Sequence, residues 1–367
     1  MKNKKELPKK KMYELTEEER NAPITKEIGE QCRHRLEKRW YRRMIELNVL
    51  MIVVVLGFCI YNFSDNVELE KRAANQFVEE IQQEIHRDSK ESDDMSQSNS
   101  PEESYDNNVI SKVEEISESH ESEAAASEKD EETKKEDKLT EDDIPWEIRM
   151  LFYGILLLVA AYLALYYYYA WYRSMSLRIT EENFPEVFEL VEQYAHRLGI
   201  EVPKVYVAQQ SGELNAFSTF LFKKQWIMIH SELFEVAYRE HKDMDSLAFV
   251  IAHEMAHIYY GHATLHYNLP FWFSRIIPVF SQIASRTREY SCDRLAQRLT
   301  GTDGIDAMLM LVVDRHLYKM VDKKDYEREM RNQKGFFLWI VNMMSDHPVM
   351  CKRIAALADG VGSGKVY

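Results

Sequence analysis

The stretch FVIAHEMAHIYYGH, residues 249 to 262, sets His253 and His257 four positions apart with Glu254 between them, inside an apolar run. On a helix, positions four apart are rotated by only ~40° and lie one turn above each other, so both imidazoles can reach one ion. Glu254 points elsewhere on the same rim. Two neutral imidazoles hold zinc and an adjacent carboxylate takes a proton from a zinc-activated water, which is the arrangement that metal-assisted hydrolysis needs. Zinc lowers the pKa of that water toward ~7, so a hydroxide-like nucleophile exists near neutral pH. The competing reading is a pair of core histidines on an ordinary buried helix. It leaves two imidazoles and a carboxylate in need of buried partners, and a metal is one such partner.

A catalytic zinc site takes a third protein ligand and keeps one position open. The segment SRTREYSCDRLA, residues 285 to 296, offers Glu289 and, one helical turn on, Asp293. Glu289 is assigned to the metal. Asp293 is assigned behind it, where a carboxylate orients a ligand histidine by accepting its other ring proton. His262 competes for the third place, but it lies five residues past His257, rotated by ~140°, and could ligate only if the helix breaks at Gly261. The rival reading of Glu289 and Asp293 is a solvated helix face, salt-bridged to Arg286, Arg288 and Arg294. Cys292, between the two carboxylates, reads as a packing residue in preference to a redox-sensitive one.

The elements that must position these residues follow from the rest of the chain. At 367 residues there is room for about two domains and one sizeable core. A helix is expected around 184 to 198 with its stop at Gly199, then short strands at 203 to 208, 216 to 222 and 225 to 230, then mainly helices. This is an α+β pattern, a small β-sheet laid against helices, over about residues 176 to 360.

Two apolar runs precede that domain. Residues 44 to 63 and 149 to 172 are long enough to span a bilayer, and the second ends in a dense Tyr and Trp belt. Arg33, Arg35, Lys38, Arg39, Arg42 and Arg43 crowd the approach to the first, and Arg173 and Arg178 follow the second. The basic flanks place both termini in the cytoplasm and residues 64 to 147 outside. The formal net charge of -14 belongs largely to this outer segment, which holds roughly 28 Asp and Glu against about 9 Lys and Arg. The remainder of the chain is near +5 by difference, concentrated beside the apolar runs, so no nucleic-acid partner is expected. Leu69, Ala73, Phe77, Ile81 and Ile85 recur at helical spacing, so the first span should continue as an amphipathic helix, with self-association expected through residues 67 to 85. Residues 88 to about 143 have too little apolar content to offset ordering entropy and are expected to be disordered. Residues 1 to 43 read as a separate basic segment. Four widely spaced cysteines form no disulfide framework, which suits a reducing compartment for Cys292 and Cys351.

Taken together these motifs resemble the HtpX-like membrane zinc metallopeptidases, the family that also includes the type 1 CAAX prenyl proteases. The likeness runs from roughly 180 to 358 and rests on LNAFST at 214 to 219, HEMAH, SRTREYSCD and DHPVMCKRI at 346 to 354, in the family's order. It implies a zincin-type domain with one catalytic Zn2+ on two transmembrane helices, acting on protein or peptide substrates at the lipid bilayer of a bacterial cell. By position, it implies that Asn215 lines a substrate groove on a strand edge. It also implies that His347 donates to the oxyanion and that Arg353 pairs with Asp293 or steadies its loop. The sequence departs from relatives that insert further spans between the zinc helix and the ExxxD helix, because only about 32 residues separate the two here. Residues 268 to 284, apolar but interrupted by Pro270, Arg275 and Pro278, are expected to cover the site or dip into the membrane interface. A second functional class stays open: a signalling or scaffold protein that binds peptide without cutting it. An intact Glu254 argues against that class, since a pure binder gains nothing from a base beside the metal.

Overall fold

A computed structural model describes residues 11–96, 146–209, 215–221, 224–268, 279–313, 317–360 and 364–367. The chain divides into two units, Met1–Val53 with Tyr162–Tyr367, and Val54–Ala161. The second unit consists, among its described residues, of a long stretch of the first apolar helix and the beginning of the second.

The first unit starts with two short helices, α1 (Glu17–Asn21) and α2 (Lys26–Cys32). Each is opened by a threonine whose hydroxyl accepts a backbone N–H. Thr16 forms a reciprocal capping box with Glu19, and Thr25 caps Ile28. The long helix α3 (Glu37–Ser96) follows. Its segment Glu37–Tyr61 is long and apolar enough to cross a membrane, as is Ile148–Ser174 within α4 (Trp146–Ser174). Val53, Phe58 and Ile60 on α3 and Leu151, Leu157 and Tyr167 on α4 are all exposed, as helices immersed in lipid would be. The helical stretch runs eight residues beyond position 88, where order was expected to end. Residues 97–145 of the acidic segment lie outside the described residues.

After β1 (Ser176–Arg178) comes α5 (Pro185–Leu198), with Pro185 in its first turn and Gly199 at φ 64 ending it. Its apolar face, Val187, Val191, Tyr194, Ala195 and Leu198, is buried. Strands β2 (Lys204–Ala208), β3 (Ala216–Leu221) and β4 (Lys224–His230) complete a four-stranded sheet of order β1-β2-β4-β3. The β1–β2 and β3–β4 pairs are antiparallel and β2–β4 is parallel. β3 is therefore an edge strand among the described residues. The three predicted strands are found within one or two residues of their expected bounds. β1, three residues long, is too short to leave a sequence signature and is an addition.

Helix α6 (Ser231–Phe234) passes through one wide turn, Glu235–Glu240, into α7 (Met244–Tyr260), which carries the histidine motif. Asp243 caps α7 by accepting the N–H of Ser246 at 3.1 Å, and Gly261 ends it at φ 74, a backbone region in which glycine carries no Cβ penalty. Phe249, Ile251, Ala252, Met255 and Ala256 are fully buried, so α7 is apolar all round and runs through the core. The short α8 (Leu265–Asn268) leads away from it. Residues 269–278, most of the stretch expected to cover the site, lie outside the described residues. α9 (Phe280–Thr300) packs along α7. Helices α10 (Ile305–Val312), α11 (Lys323–Asn332), α12 (Phe336–Met344) and α13 (Met350–Asp359) finish the unit. Helices laid against one small sheet make this the expected α+β architecture.

The N-terminal segment departs from expectation. Residues 11–44 form part of this core: Ile24 and Cys32 join the main apolar cluster, and Trp40 and Met44 pack with Tyr267, Ile283 and Tyr290. Backbone bonds hold the strap in place. Ile24 N–H donates to Arg197 O at 2.7 Å, Met12 N–H donates to Gly360 O at 2.8 Å, and Tyr260 Oη donates to Gly29 O at 2.8 Å. A Cβ on Gly29 would stand 2.3 Å from Oη of the neighbouring Tyr259, so that ring would have to shift to admit one.

Candidate metal centre

α7 and α9 bring the three proposed ligands together. His253 Nε2 and His257 Nε2 lie 3.2 Å apart, and Glu289 places Oε2 3.4 Å from the first and Oε1 3.4 Å from the second. Around an ion with bonds of ~2.1 Å, the edge of a tetrahedron is about 3.4 Å, so this triangle is the size of one face. Glu289 Oε2 is buried and has no hydrogen-bond partner in spite of its close neighbours. A buried carboxylate that turns Oε2 to one imidazole nitrogen and Oε1 to the other is a donor set that fits zinc.

Behind these ligands stand Asp293 and Arg353. Asp293 Oδ1 lies 2.9 Å from His253 Nδ1, on the side of the ring away from the triangle. Arg353, from α13, donates to Asp293 through Nε at 2.8 Å and Nη2 at 2.7 Å, a two-pronged grip that fixes the carboxylate plane. Burial alone would push the Asp293 carboxyl up, but Arg353 and His253 outweigh it and hold it at about 2. Burial opposes ionisation of Glu289 as well, and the facing histidines hold that carboxyl well below its usual value. For His253, burial disfavours the charged imidazole, yet the facing carboxylates of Asp293 and Glu289 raise it to about 9 in the protein alone.

His347 meets the same Glu289 oxygen that faces His253, with Nδ1 3.0 Å from Oε2 and a side chain that is 71% exposed. The Glu289 carboxylate raises its pKa. An exposed ring against a buried ligand marks the mouth of the centre. Glu254 is buried on α7 between the two histidines. Asn215 is exposed at the head of β3, where Oδ1 accepts the N–H of Ala216 at 2.9 Å and the carbonyl accepts the N–H of His230 at 2.9 Å. Among the described residues it shares no hydrogen bond with the cluster.

Two readings raised by the sequence come out differently. The solvated, salt-bridged face of α9 does not exist: Arg286 is 0% and Arg294 5% exposed. Arg286 donates to the carbonyls of Met343, Ser345 and Val366, and Arg294 to that of Ala356. The chain does break at Gly261, but His262 meets the other edge of His257. The two Nδ1 atoms stand 3.1 Å apart, and His262 Nε2 lies 3.2 Å from Glu37 Oε1. Cys292 is fully buried, 3.6 Å from His262 Nδ1, and burial raises its thiol well above the ordinary value, as a packing residue requires. Sequence reasoning missed Glu37 altogether. Its contact with His262 spans 225 residues of chain, and no local spacing encodes it.

Two imidazoles on one buried helix and a carboxylate from a second are a donor set of the kind a metallopeptidase uses. Comparison with family models gives the corresponding result: residues 181–269 match the model of peptidase family M48. The matched segment includes β2 to β4 and the HEMAH helix and ends before α9, so Glu289, Asp293, His347 and Arg353 rest on the geometry above. The match supports a zinc metallopeptidase and bears out the resemblance read from the motifs.

Proposed function

We propose that this chain is a membrane-anchored zinc endopeptidase that hydrolyses peptide bonds of membrane or membrane-proximal proteins. The observation that carries the reading is the convergence of His253 Nε2, His257 Nε2 and Glu289 in one triangle, with Asp293 and Arg353 behind it and Glu254 beside it. Bound there, zinc supplies Lewis acidity toward the scissile carbonyl and its attacking water. Glu254 takes the proton of that water and returns it to the leaving nitrogen. Asp293, gripped by Arg353, holds the His253 ring so that its Nε2 faces inward. His347, at the mouth, donates a hydrogen bond to the oxyanion, a contact typically worth ~2.7 to 4 kcal/mol in rate. The exposed edge of β3, starting at Asn215, lets an extended peptide add as a further strand and be read by its backbone, which favours unfolded stretches over folded ones.

The purified full chain is expected to carry about one zinc and to cut an unfolded protein such as casein. A strong chelator should abolish cutting and added zinc should restore it. A chain that holds no zinc as purified or after reconstitution, and cuts nothing, overturns the reading.

The same unit supports the topology. Residues 11–44 pack against the domain that follows the second apolar helix, so the chain returns to the side of the membrane it left. With Arg33, Arg35, Lys38, Arg39, Arg42 and Arg43 before the apolar run that starts at residue 44, that side is the cytoplasm, and residues 64 to 147 face outward from a bacterial cell membrane. A cysteine introduced near position 115 should react with a membrane-impermeant thiol reagent added to intact cells. Reaction only after lysis would reverse the orientation.

A further inference from the structure

We propose that Glu37 and His262 form a positioning pair that aims His257 at the metal, making the first turn of α3, where the N-terminal strap enters the first apolar helix, part of the metal centre. The inference rests on the zinc reading above and concerns the ligand histidine that Asp293 does not hold. His253 has its Nδ1 edge fixed by Asp293 at 2.9 Å, whereas the Nδ1 edge of His257 faces His262. An imidazole alone can sit in either tautomer, so something must choose for it. Glu37 is that element. It is 1% exposed, with Arg33 Nη1 3.5 Å away, and it accepts the hydroxyl proton of Ser291 on Oε2.

The proton order follows without freedom. An ionised carboxylate only accepts, so His262 carries its proton on Nε2 and donates it to Glu37 Oε1 across 3.2 Å. His262 Nδ1 is then bare and accepts the Nδ1–H of His257 across 3.1 Å. That leaves the lone pair of His257 on Nε2, the atom in the triangle with His253 and Glu289. The Cys292 thiol, 3.6 Å from His262 Nδ1, is a weak donor and agrees with a bare nitrogen there. Several contacts hold the strap in register for this. Ser291 Oγ accepts the N–H of His34 at 2.9 Å, the His34 ring stacks on Tyr290, and the Arg33 guanidinium lies over the Tyr260 ring at 4.6 Å.

One other arrangement of the same atoms exists, in which His257, His262 and Cys292 themselves grip a cation. It would strip His257 of the proton that frees its Nε2 for the triangle, and it needs a thiolate where burial disfavours one.

The test uses the detergent-purified full chain and reads zinc affinity by chelator competition, together with the visible spectrum of the cobalt-loaded protein. Glu37→Gln should weaken zinc binding about 10- to 100-fold and alter the cobalt bands, with Glu37→Asp recovering part of the loss. His262→Gln should reproduce the effect from the other end of the pair if Glu37→Gln does not fold. Trp40→Leu is the control, since it loosens strap packing without touching the pair. It should lower the melting temperature and leave affinity and spectrum unchanged. Wild-type affinity and spectrum in Glu37→Gln or His262→Gln overturn the proposal, as does a Trp40→Leu chain that loses as much affinity as they do. A thiolate-to-cobalt band in the near ultraviolet also overturns it, in favour of the cysteine site. A wild type that binds no metal fails at the zinc reading itself and removes the proposal with it.

Discussion

Glu254→Gln is expected to hold about one zinc per chain, as the wild type does, and to cleave an unfolded protein about 10²- to 10⁴-fold more slowly. The amide keeps the shape of the carboxylate, so the packing of a residue buried on α7 should survive. The ligand triangle does not include Glu254, so metal content should survive as well. Only the capacity to take and return a proton is lost. Elemental analysis and cleavage measured on the same preparation separate the two effects. Cutting within about threefold of the wild type would remove Glu254 from the chemistry. A variant whose cellular function is unchanged would favour the peptide-binding alternative over hydrolysis.

Glu289→Ala should have the opposite signature, with metal and activity lost together. The two histidines stand on consecutive turns of a single helix, and Glu289 is the group that closes the triangle from α9. Residues that merely orient a ligand cost about 10- to 100-fold in affinity when removed, so loss of a ligand itself should exceed about 100-fold. Competition with a chromophoric chelator measures it directly. The contacts that Asp293 on α9 makes with His253 on α7 and with Arg353 on α13 do not depend on this carboxylate, so the melting temperature of the metal-free protein provides a control for folding. Zinc affinity within about threefold of the wild type would show that the third ligand is another residue.

How far the centre could be read from sequence depended on the reach of each interaction. Four-residue spacing gave His253 and His257, and the same spacing on a second helix gave Glu289 and Asp293, because α-helical geometry puts such residues on one face. Gly199 marked a helix end because glycine enters the left-handed region without a Cβ penalty, and Gly261, raised only as a possible break, ends its helix in the same way. Arg286 and Arg294 read as solvent-facing because arginine usually is. In the fold their guanidinium groups satisfy backbone carbonyls more than fifty residues away. The N-terminal strap read as a basic prelude to a span because charge dominates it. Trp40 and Met44 stand one turn apart on α3, but Ile24 lies before α2 and Cys32 ends it, so the buried positions are split over separate pieces and do not announce one core face. The local signals that were present, the threonine caps at Thr16 and Thr25, announced helices but could not say what they would pack against.

The strap also fixes an order of events during synthesis. It leaves the ribosome first, yet Tyr260 and Ser291, which hold it, follow 231 and 254 residues later. In between the chain must pass through both apolar helices and the acidic segment. Contacts of such sequence separation form late, after a large loop has been closed. The candidate metal centre is therefore completed only after both apolar helices have been made, and a stalled chain would hold the HEMAH helix without the strap that completes its surroundings. The same logic bears on making the domain by itself. A fragment started just after the second apolar helix would contain HEMAH and its ExxxD partner and still be missing one wall of its own core.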